Sequence, residues 1–289
     1  TVLTNLNCSG NQLTSLDVSS NTALTDLRPS NNQLTSLDVS SNTALITLQC
    51  SGNPLSSLDV SSNTALTHLG CYYTQLTSLD VSNNTALTYL QAKDNQLTSL
   101  DVSSNPSLTS LECNNNQLIY LNMRNGITDQ LTEFNVTGNS SLTCIETLDP
   151  DYATANWTSA NENIDAGVTF SVICGSENQD EWYVATTGSD GGGSGTQESP
   201  LATIQTGINA SVDGNTVHVA TGTYVENINF NGKNISVIGA DRETTTIDGG
   251  ADTTFSEYGG VVVFNSGETS AALLDGFTIQ NGTSFRGGG

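Results

Sequence analysis

The hydrophobic positions of this chain recur with a fixed period of 21 residues. The shared stretch reads LTSLDVSSNTAL with little change, and it occupies 13–24, 34–45, 55–66, 76–87 and 97–108. A fixed period of this length predicts a solenoid, in which each repeat is one coil that buries its apolar face against its neighbours. Coils then begin at Leu3, Leu24, Leu45, Leu66, Leu87 and Leu108.

Each coil has a variable half followed by an almost fixed half. In the first coil, strand alternation directs Leu6 and Cys8 of the variable half inward, and likewise Leu16 and Val18 of the fixed half. Equivalent residues of stacked coils lie about 4.8 Å apart, so outward residues form columns. The outward positions of the variable half are Asn5/Asn7/Ser9, Asp26/Arg28/Ser30, Thr47/Gln49/Ser51, His68/Gly70/Tyr72, Tyr89/Gln91/Lys93 and Ser110/Glu112/Asn114.

Two columns of asparagine close the two halves of the coils. The first contains Asn11, Asn32, Asn53, Asn95 and Asn116, with Thr74 in place of one asparagine. The second contains Asn21, Asn42, Asn63, Asn84 and Asn105. Buried amides must be hydrogen-bonded, and an asparagine can reach backbone groups of its own coil and of the next. We therefore expect both columns to be structural.

The regular pattern slips at 121–126 and resumes as LTEFNVTGNSSL at 131–142. The segment 144–174 follows, then a polar linker at 175–180, and from residue 181 short apolar runs alternate with irregular turns. Leu201, Ile204 and Ile208 have helical spacing, which predicts a short helix over 200–211.

The Leu- and Asn-spaced unit resembles the 21-residue leucine-rich repeat of bacterial surface proteins, in which two similar half-repeats are nested. The segment 144–174 resembles the C-terminal cap of such proteins. The matching cap positions are Cys144, Ile145, Tyr152, Asn156, Trp157, Phe170, Ser171 and Cys174. The resemblance implies a solenoid whose last apolar face is covered by this cap.

The region after the linker resembles the N-terminal entry of a right-handed parallel β-helix of the pectate-lyase-like kind. The residues that carry the resemblance are 183–184, 200–204, 215–217, 222–224, 247–249 and 275–279. We therefore predict two β-rich solenoids in tandem, a leucine-rich-repeat solenoid and a truncated β-helix. The predicted segments are repeats at 1–143, the cap at 144–174, the linker at 175–180 and the β-helix at 181–289.

The cysteines divide into two groups. Cys8, Cys50, Cys71 and Cys113 share one inward column, which predicts small buried free thiols without a tetrahedral zinc site. A Cys50–Cys71 disulfide fits the spacing, although parallel in-register side chains rarely adopt the required torsion. Cys144 and Cys174 lie outside this column and bracket the cap, so we predict a disulfide between them. That bond implies an oxidising, extracellular or outer-surface setting.

Charge and composition narrow the partners. The 289 residues include 29 Asp and Glu but only 6 Lys and Arg, for a net charge of -23. Clustered cations are needed to neutralise phosphate, so this composition argues against nucleic acid and against anionic lipid as partners. No apolar run approaches the roughly 20 residues of a membrane span, so no membrane insertion is expected. The chain begins within a repeat and ends on a glycine run, and we expect a fragment of a longer precursor.

No common signature of a hydrolase, metalloprotease or nucleotide-binding loop appears, so we expect no catalytic residue, metal or cofactor. His218 alternates with Val217 and Val219, and we interpret it as structural. The acidic column on the fixed half is either a set of turn acceptors or a ladder for cations, although a flat column supplies calcium poorly. Its members are Asp17, Asp38, Asp59, Asp80 and Asp101, and it ends in Asn122.

The best candidate for ligand binding is an aromatic group on the variable strand face. It consists of His68, Tyr72, Tyr73 and Tyr89, with Lys93 and Arg28 at its sides. Exposed aromatic rings suit sugar stacking or protein hot spots, whereas ordinary drift between near-identical repeats is the competing explanation. The leading hypothesis is a secreted or cell-surface adhesion protein that binds an extracellular polysaccharide or a surface protein. The alternatives are a targeting module for a polysaccharide-degrading enzyme with catalytic coils beyond residue 289, and a structural spacer. Oligomeric state is left open.

Overall fold

The computed structural model describes residues 2–176, 178–250 and 260–282. Backbone contacts divide the chain into two compact units, Thr1–Ser171 and Val172–Gly289. The described part of the first unit is built from short strands and one helix. Its strands are β1 (Asn5–Asn7), β2 (Asp26–Arg28), β3 (Thr47–Gln49), β4 (His68–Gly70), β5 (Tyr89–Gln91), β6 (Ser99–Asp101), β7 (Ser110–Glu112), β8 (Tyr120–Met123), β9 (Glu133–Asn135), β10 (Cys144–Thr147) and β11 (Thr169–Ser171), and its helix is α1 (Pro150–Asn156).

The strands of the variable halves form one parallel sheet in the order β1-β2-β3-β4-β5-β7-β9. The pairing from β1 through β7 keeps the 21-residue offset, as in Leu6 opposite Leu27 and Leu27 opposite Leu48. A second parallel sheet has the order β11-β10-β8-β6 and lies on the fixed-half side of the last coils. The predicted repeat solenoid is therefore present, with one coil for each period.

The core is a column of leucines because every coil points the same positions inward. Leu24, Leu27 and Leu34 are fully buried, as are their equivalents in the following coils. Two asparagine ladders close the turns of these coils, as predicted. In the first ladder, the Asn53 amide donates to the carbonyls of Pro29 and Cys50, and its oxygen accepts from the Leu34 backbone N–H.

The second ladder is bonded on one side only. The Asn63 amide donates to the backbone carbonyls of Val39 and Asn42. Its Oδ1 atom is buried and finds no hydrogen-bond partner in the described part of the chain, and the same is true of its equivalents. Those equivalents are Asn42, Asn84 and Asn105.

The inward thiol column is also present. Cys50, Cys71 and Cys113 are buried, and with Cys8 they are free thiols. Burial raises the pKa of Cys50 and of Cys113 to about 12, because the thiolate would lose its hydration. These cysteines act as small apolar side chains of the core.

Three positions that were predicted to face outward are buried, namely Ser51, Gly70 and Ser110. Ser51 and Ser110 are only 1% and 4% exposed. The Ser51 hydroxyl accepts from the Tyr72 backbone N–H, and the Ser110 hydroxyl donates to the Glu133 carboxylate. Both hydroxyls are bonded to residues of the next coil, and alternation along one strand does not predict such contacts.

The slip at 121–126 marks the point where the last coils change their spacing. Here β8 pairs with both β6 and β10, and the buried Arg124 Nε lies 3.1 Å from the Glu146 carboxylate. The segment that follows closes the core, because Trp157 packs with its ring centroid 4.2 Å from that of Phe134 and 5.8 Å from that of Phe170.

Cys144 and Cys174 are disulfide-bonded, as expected. In the part of the chain that the structure describes, no helix has the length and apolar character required to cross a membrane.

The described residues of the second unit form three parallel sheets. Its elements are β12 (Glu181–Val184), α2 (Ile204–Ala210), β13 (Thr216–Val219), β14 (Gly222–Val225), β15 (Ile228–Asn229), β16 (Ser236–Gly239), β17 (Thr245–Asp248), β18 (Val262–Val263), β19 (Leu273–Asp275) and β20 (Thr278–Gln280). The sheet orders are β12-β13-β16-β19, β14-β17-β20 and β15-β18.

The predicted short helix is present as α2, which packs on the core of Trp182, Phe230 and Ile247. It approaches the sheet at Gly207, where a Cβ atom would lie 2.8 Å from Val217 Cγ1.

Candidate binding surface on the variable half-coils

Strands β4 and β5 place two of the predicted aromatic residues side by side. His68 pairs in register with Tyr89, and the two rings stack with centroids 5.9 Å apart and planes inclined by 29°. The His68 Nδ1 atom lies 2.7 Å from the Thr67 hydroxyl, which fixes the ring from behind. One face of each ring is therefore taken up by the other ring.

The turn after β4 supplies the other two rings. Tyr72 and Tyr73 meet edge to face, with centroids 5.7 Å apart and an interplanar angle of 72°. The Lys93 ammonium lies 5.5 Å from the centroid of the Tyr72 ring, within the range of a cation–π contact. The sequence-predicted lysine thus joins the aromatic residues.

Glu112 holds this group together, and the sequence analysis missed it as a site residue. Its carboxylate accepts from the Lys93 ammonium and the Gln91 amide at 2.5 Å each, and the Tyr89 hydroxyl lies 3.5 Å away. The signal was available, because Glu112 is the outward residue one rung beyond Gln91 in the same column.

The electrostatics of the group follow from this arrangement. Burial acts to raise the pKa of Glu112, but hydrogen bonds from Gln91 and Lys93 outweigh it and leave the pKa below its usual value. The hydrogen bond to Glu112 raises the pKa of Lys93, so this ion pair is charged over the whole neutral range. Burial, followed by the charge of Glu112, raises the pKa of Tyr89.

Tyr73 occupies a backbone position that the other coils give to small or turn-forming residues. Its φ is 51°, in the left-handed region, and its side chain is 63% exposed. Glycine, asparagine and aspartate tolerate this region, whereas a bulky side chain there is an outlier. The equivalent left-handed positions are Gly10, Asn31, Gly52, Asp94, Asn115 and Gly138. The fold therefore holds an exposed tyrosine at an unfavourable backbone conformation.

The same coil departs from the pattern at two more positions. Thr74 replaces a ladder asparagine, and its single hydroxyl proton is shared between two acceptors, the Cys71 carbonyl at 3.0 Å and Asn95 Oδ1 at 2.5 Å. Gly70 leaves a gap that the Gln49 side chain fills, since a Cβ on Gly70 would lie 2.0 Å from Gln49 Oε1.

We name the group formed by His68, Tyr72, Tyr73, Tyr89, Gln91, Lys93 and Glu112 the aromatic island. Arg28, which was predicted to flank it, lies on β2, two strands away from β4 in the sheet. Its guanidinium is paired with Asp26 at 2.7 and 2.9 Å. The structure therefore brings five of the six predicted ligand-binding residues together and leaves Arg28 apart.

The carboxylates of the acidic column on the fixed half are bonded to serines of their own turns. Asp17, Asp38 and their equivalents each accept a hydrogen bond from the backbone N–H of the serine two residues later. These serine contacts lower the pKa of Asp17, Asp38, Asp59 and Asp80. The column ends at the buried Asn122, whose amide lies 3.2 Å from an Asp101 oxygen. Within 2–176, 178–250 and 260–282, no three His, Cys, Asp or Glu side chains are grouped to hold a metal.

Comparison with known proteins gives structural likeness alone. No family model and no curated protein matches the chain. An internalin (InlF) of Listeria monocytogenes is similar at 24% identity and a TM-score of 0.44, over 50% of this chain and 47% of that one. The match therefore spans about half the length of that internalin.

Two further solved structures are similar at lower scores. The functional domain of InlJ from Listeria monocytogenes, described as including a cysteine ladder, has 22% identity and a TM-score of 0.29, over 78% of this chain and 66% of that one. A leucine-rich-repeat protein of Leptospira interrogans has 18% identity and a TM-score of 0.37, over 50% of each chain. The chain is a β-solenoid that resembles leucine-rich-repeat proteins, as its own coils and ladders indicate.

Proposed function

We propose that this chain belongs to an extracellular or cell-surface binding protein, and that the aromatic island of the first unit recognises a partner protein. The observation that carries the proposal is Tyr73, an exposed aromatic side chain held at a left-handed backbone position. Strained and exposed residues of this kind concentrate at functional sites. Random drift between repeats does not favour a residue that opposes the local backbone preference.

The geometry of the rings favours a protein over a polysaccharide as the ligand of the island. Sugar stacking uses a free ring face, but Lys93 lies over the ring of Tyr72 and is held there by its ion pair with Glu112. Tyrosines that lie beside a partly shielded ion pair, as Tyr72 and Tyr89 do here, are instead typical of protein hot spots. A polysaccharide ligand is the second candidate, and the exposed ring of Tyr73 is the feature that favours it.

The disulfide supports the proposed location. Disulfides persist in oxidising compartments, and Cys144 with Cys174 provides one at the cap. The net charge of -23 favours a partner with a basic surface, because complementary charge speeds the encounter of two proteins.

We further infer that the second unit has the coil arrangement of a right-handed parallel β-helix. Strands of its three sheets pair parallel in a regular order, as in Val217 opposite Val237 and Tyr224 opposite Ile247. Such a domain is consistent with an adhesin and equally with a polysaccharide-degrading enzyme.

The test compares two variants of the whole chain. The first removes the island rings by Tyr72→Ala, Tyr73→Ala and Tyr89→Ala, and the matched control changes the opposite half by Asp38→Ala and Asp59→Ala. Each is measured by biolayer interferometry against a panel of purified extracellular proteins and soluble polysaccharides. We expect a protein ligand whose affinity falls at least about tenfold in the island variant, or about 1.4 kcal/mol, and is unchanged in the control.

Other outcomes separate the alternatives. If a polysaccharide binds through the island and no protein does, the proposal of a protein partner is refuted, but the island is still the binding surface. Equal binding by both variants would refute the island itself. Absence of any ligand would favour the spacer role.

A further inference from the structure

A second aromatic pair lies on the second unit, where the sequence analysis predicted no binding site. Tyr183 of β12 and His218 of β13 pair in register on the outward side of their sheet. Their rings stack with centroids 5.0 Å apart and planes inclined by 22°. His218, interpreted from the sequence as structural, is thus part of an exposed surface feature.

This pair borders a cleft of about 370 Å³, a size within the range of small-molecule sites. Its walls are mostly apolar, with one side-chain amide for hydrogen bonding. The walls include Val184, Gln197, Pro200, Val219, Ile238 and Gly239. A second cleft, which is more open to solvent, meets the first at Tyr183 and Gln197. It is lined by polar side chains that include Gln179, Glu181, Thr196 and Glu198.

The polar groups at the junction are only partly satisfied. The Tyr183 hydroxyl donates to Glu181 Oε2 at 3.0 Å. The His218 Nε2 atom is shielded from solvent and makes no hydrogen bond to any described residue, and Glu181 Oε1 is 3.9 Å from it. A shielded ring nitrogen beside a cleft is available to a hydroxyl group that enters, after a small movement of the ring.

We propose that this junction, which we name the Tyr183 cleft, binds a pyranose sugar that carries no acidic group. A pyranose has an apolar C–H face that suits the Tyr183 and His218 rings and the Ile238 wall. Its equatorial hydroxyls suit the amide of Gln197 and the carboxylate of Glu198, each of which offers hydrogen bonds. The carboxylates of Glu181 and Glu198 repel uronate or sulfated sugars, so the site selects against anionic glycans.

The experiment titrates the whole chain with three soluble oligosaccharides by isothermal titration calorimetry and saturation-transfer NMR. The probes are an N-acetylglucosamine oligomer, a glucosamine oligomer and a galacturonate oligomer. We expect binding of one or both of the first two and none of the galacturonate. Tyr183→Ala should weaken binding at least about tenfold, and Tyr183→Phe, which keeps the ring, should change it by less than about threefold.

Gln197→Ala serves as a second variant. Gln197 lines the cleft but lies in a loop, so its substitution leaves strand β12 intact. The proposal is overturned if no oligosaccharide binds, if only the galacturonate binds, or if both alanine variants bind as the unchanged chain does. The island variant of the first unit is measured in parallel. Because it leaves Tyr183 intact, it should bind the sugar normally, so failure of one proposal is distinguishable from failure of the other.

Discussion

Both halves of the coils in the first unit are closed by a ladder of asparagines, but the two ladders differ in how many of their side-chain polar groups are hydrogen-bonded. In the variable half, Asn53 and its equivalents use both the amide group and the oxygen. In the fixed half, Asn63 and its equivalents use the amide alone. The half with the more variable surface thus has the more completely bonded turn. A turn held by its own buried ladder leaves the outward residues free to change without loss of register.

The largest expected effect is the difference in the free energy of unfolding between Asn53→Ala and Asn63→Ala. Loss of Asn53 leaves the buried Leu34 N–H without an acceptor, whereas loss of Asn63 leaves carbonyls that still accept backbone bonds. We expect Asn53→Ala to lower the free energy of unfolding by about 3 kcal/mol and Asn63→Ala by about 1 kcal/mol. Urea denaturation followed by circular dichroism measures both. Equal losses would show that the two ladders do not differ as their bonding indicates.

A smaller change in the free energy of unfolding, of opposite sign, is expected for a substitution in the island. Tyr73→Gly removes an exposed side chain from a left-handed backbone position and should raise the free energy of unfolding by about 1 kcal/mol. The same variant should weaken partner binding, so stability and binding change in opposite directions. Asn31→Gly is the matched control at an equivalent position, and it should change stability by only a few tenths of a kcal/mol, because asparagine tolerates this conformation. A destabilised Tyr73→Gly would remove the strain argument.

The smallest effect concerns the acidic column of the fixed half. The hydroxyl and backbone N–H of Ser40 lower the pKa of Asp38 below its usual 3.8 in the folded chain. The stability that this gives is complete above the unfolded value and is lost as the pH falls through the lower folded value. Thermal unfolding between pH 5 and pH 2 should therefore show a decline confined to the acid end. Ser40→Ala removes the side-chain bond and should weaken this dependence, and an unchanged profile would exclude the contribution.

Periodicity alone was sufficient to locate most of the island. A spacing of 21 residues sets the register of β4 and β5, so His68 and Tyr89 had to lie on adjacent rungs. Arg28 lies on the same face of the sheet as the island but apart from it, because β2 is two strands away from β4. Its charge is already paired with Asp26. Glu112 was overlooked because an acidic outward residue is common on a chain of this charge. Only the contacts with Lys93 and Gln91 distinguish it.

The Tyr183 cleft could not be found from the sequence. Gln197 and Pro200 lie in an irregular glycine-rich loop, and no repeat fixes where such a loop passes the sheet. His218 was correctly placed on the side opposite Val217 and Val219, because strand alternation is local. The proximity of Tyr183 depends on the pairing of β12 with β13 across a loop and a helix.

The sequence by itself determined the coil, its leucine core, its asparagine ladders and the face that varies, because a strict period forces every coil into the same environment. Tertiary structure alone decided which outward residues are covered, as with Ser51 and Ser110, and which charges pair. It also decided that Tyr73 lies in a left-handed turn and that a cleft opens beside Tyr183. These features depend on side chains from neighbouring coils and loops, whose reach and direction are not encoded in a repeat pattern.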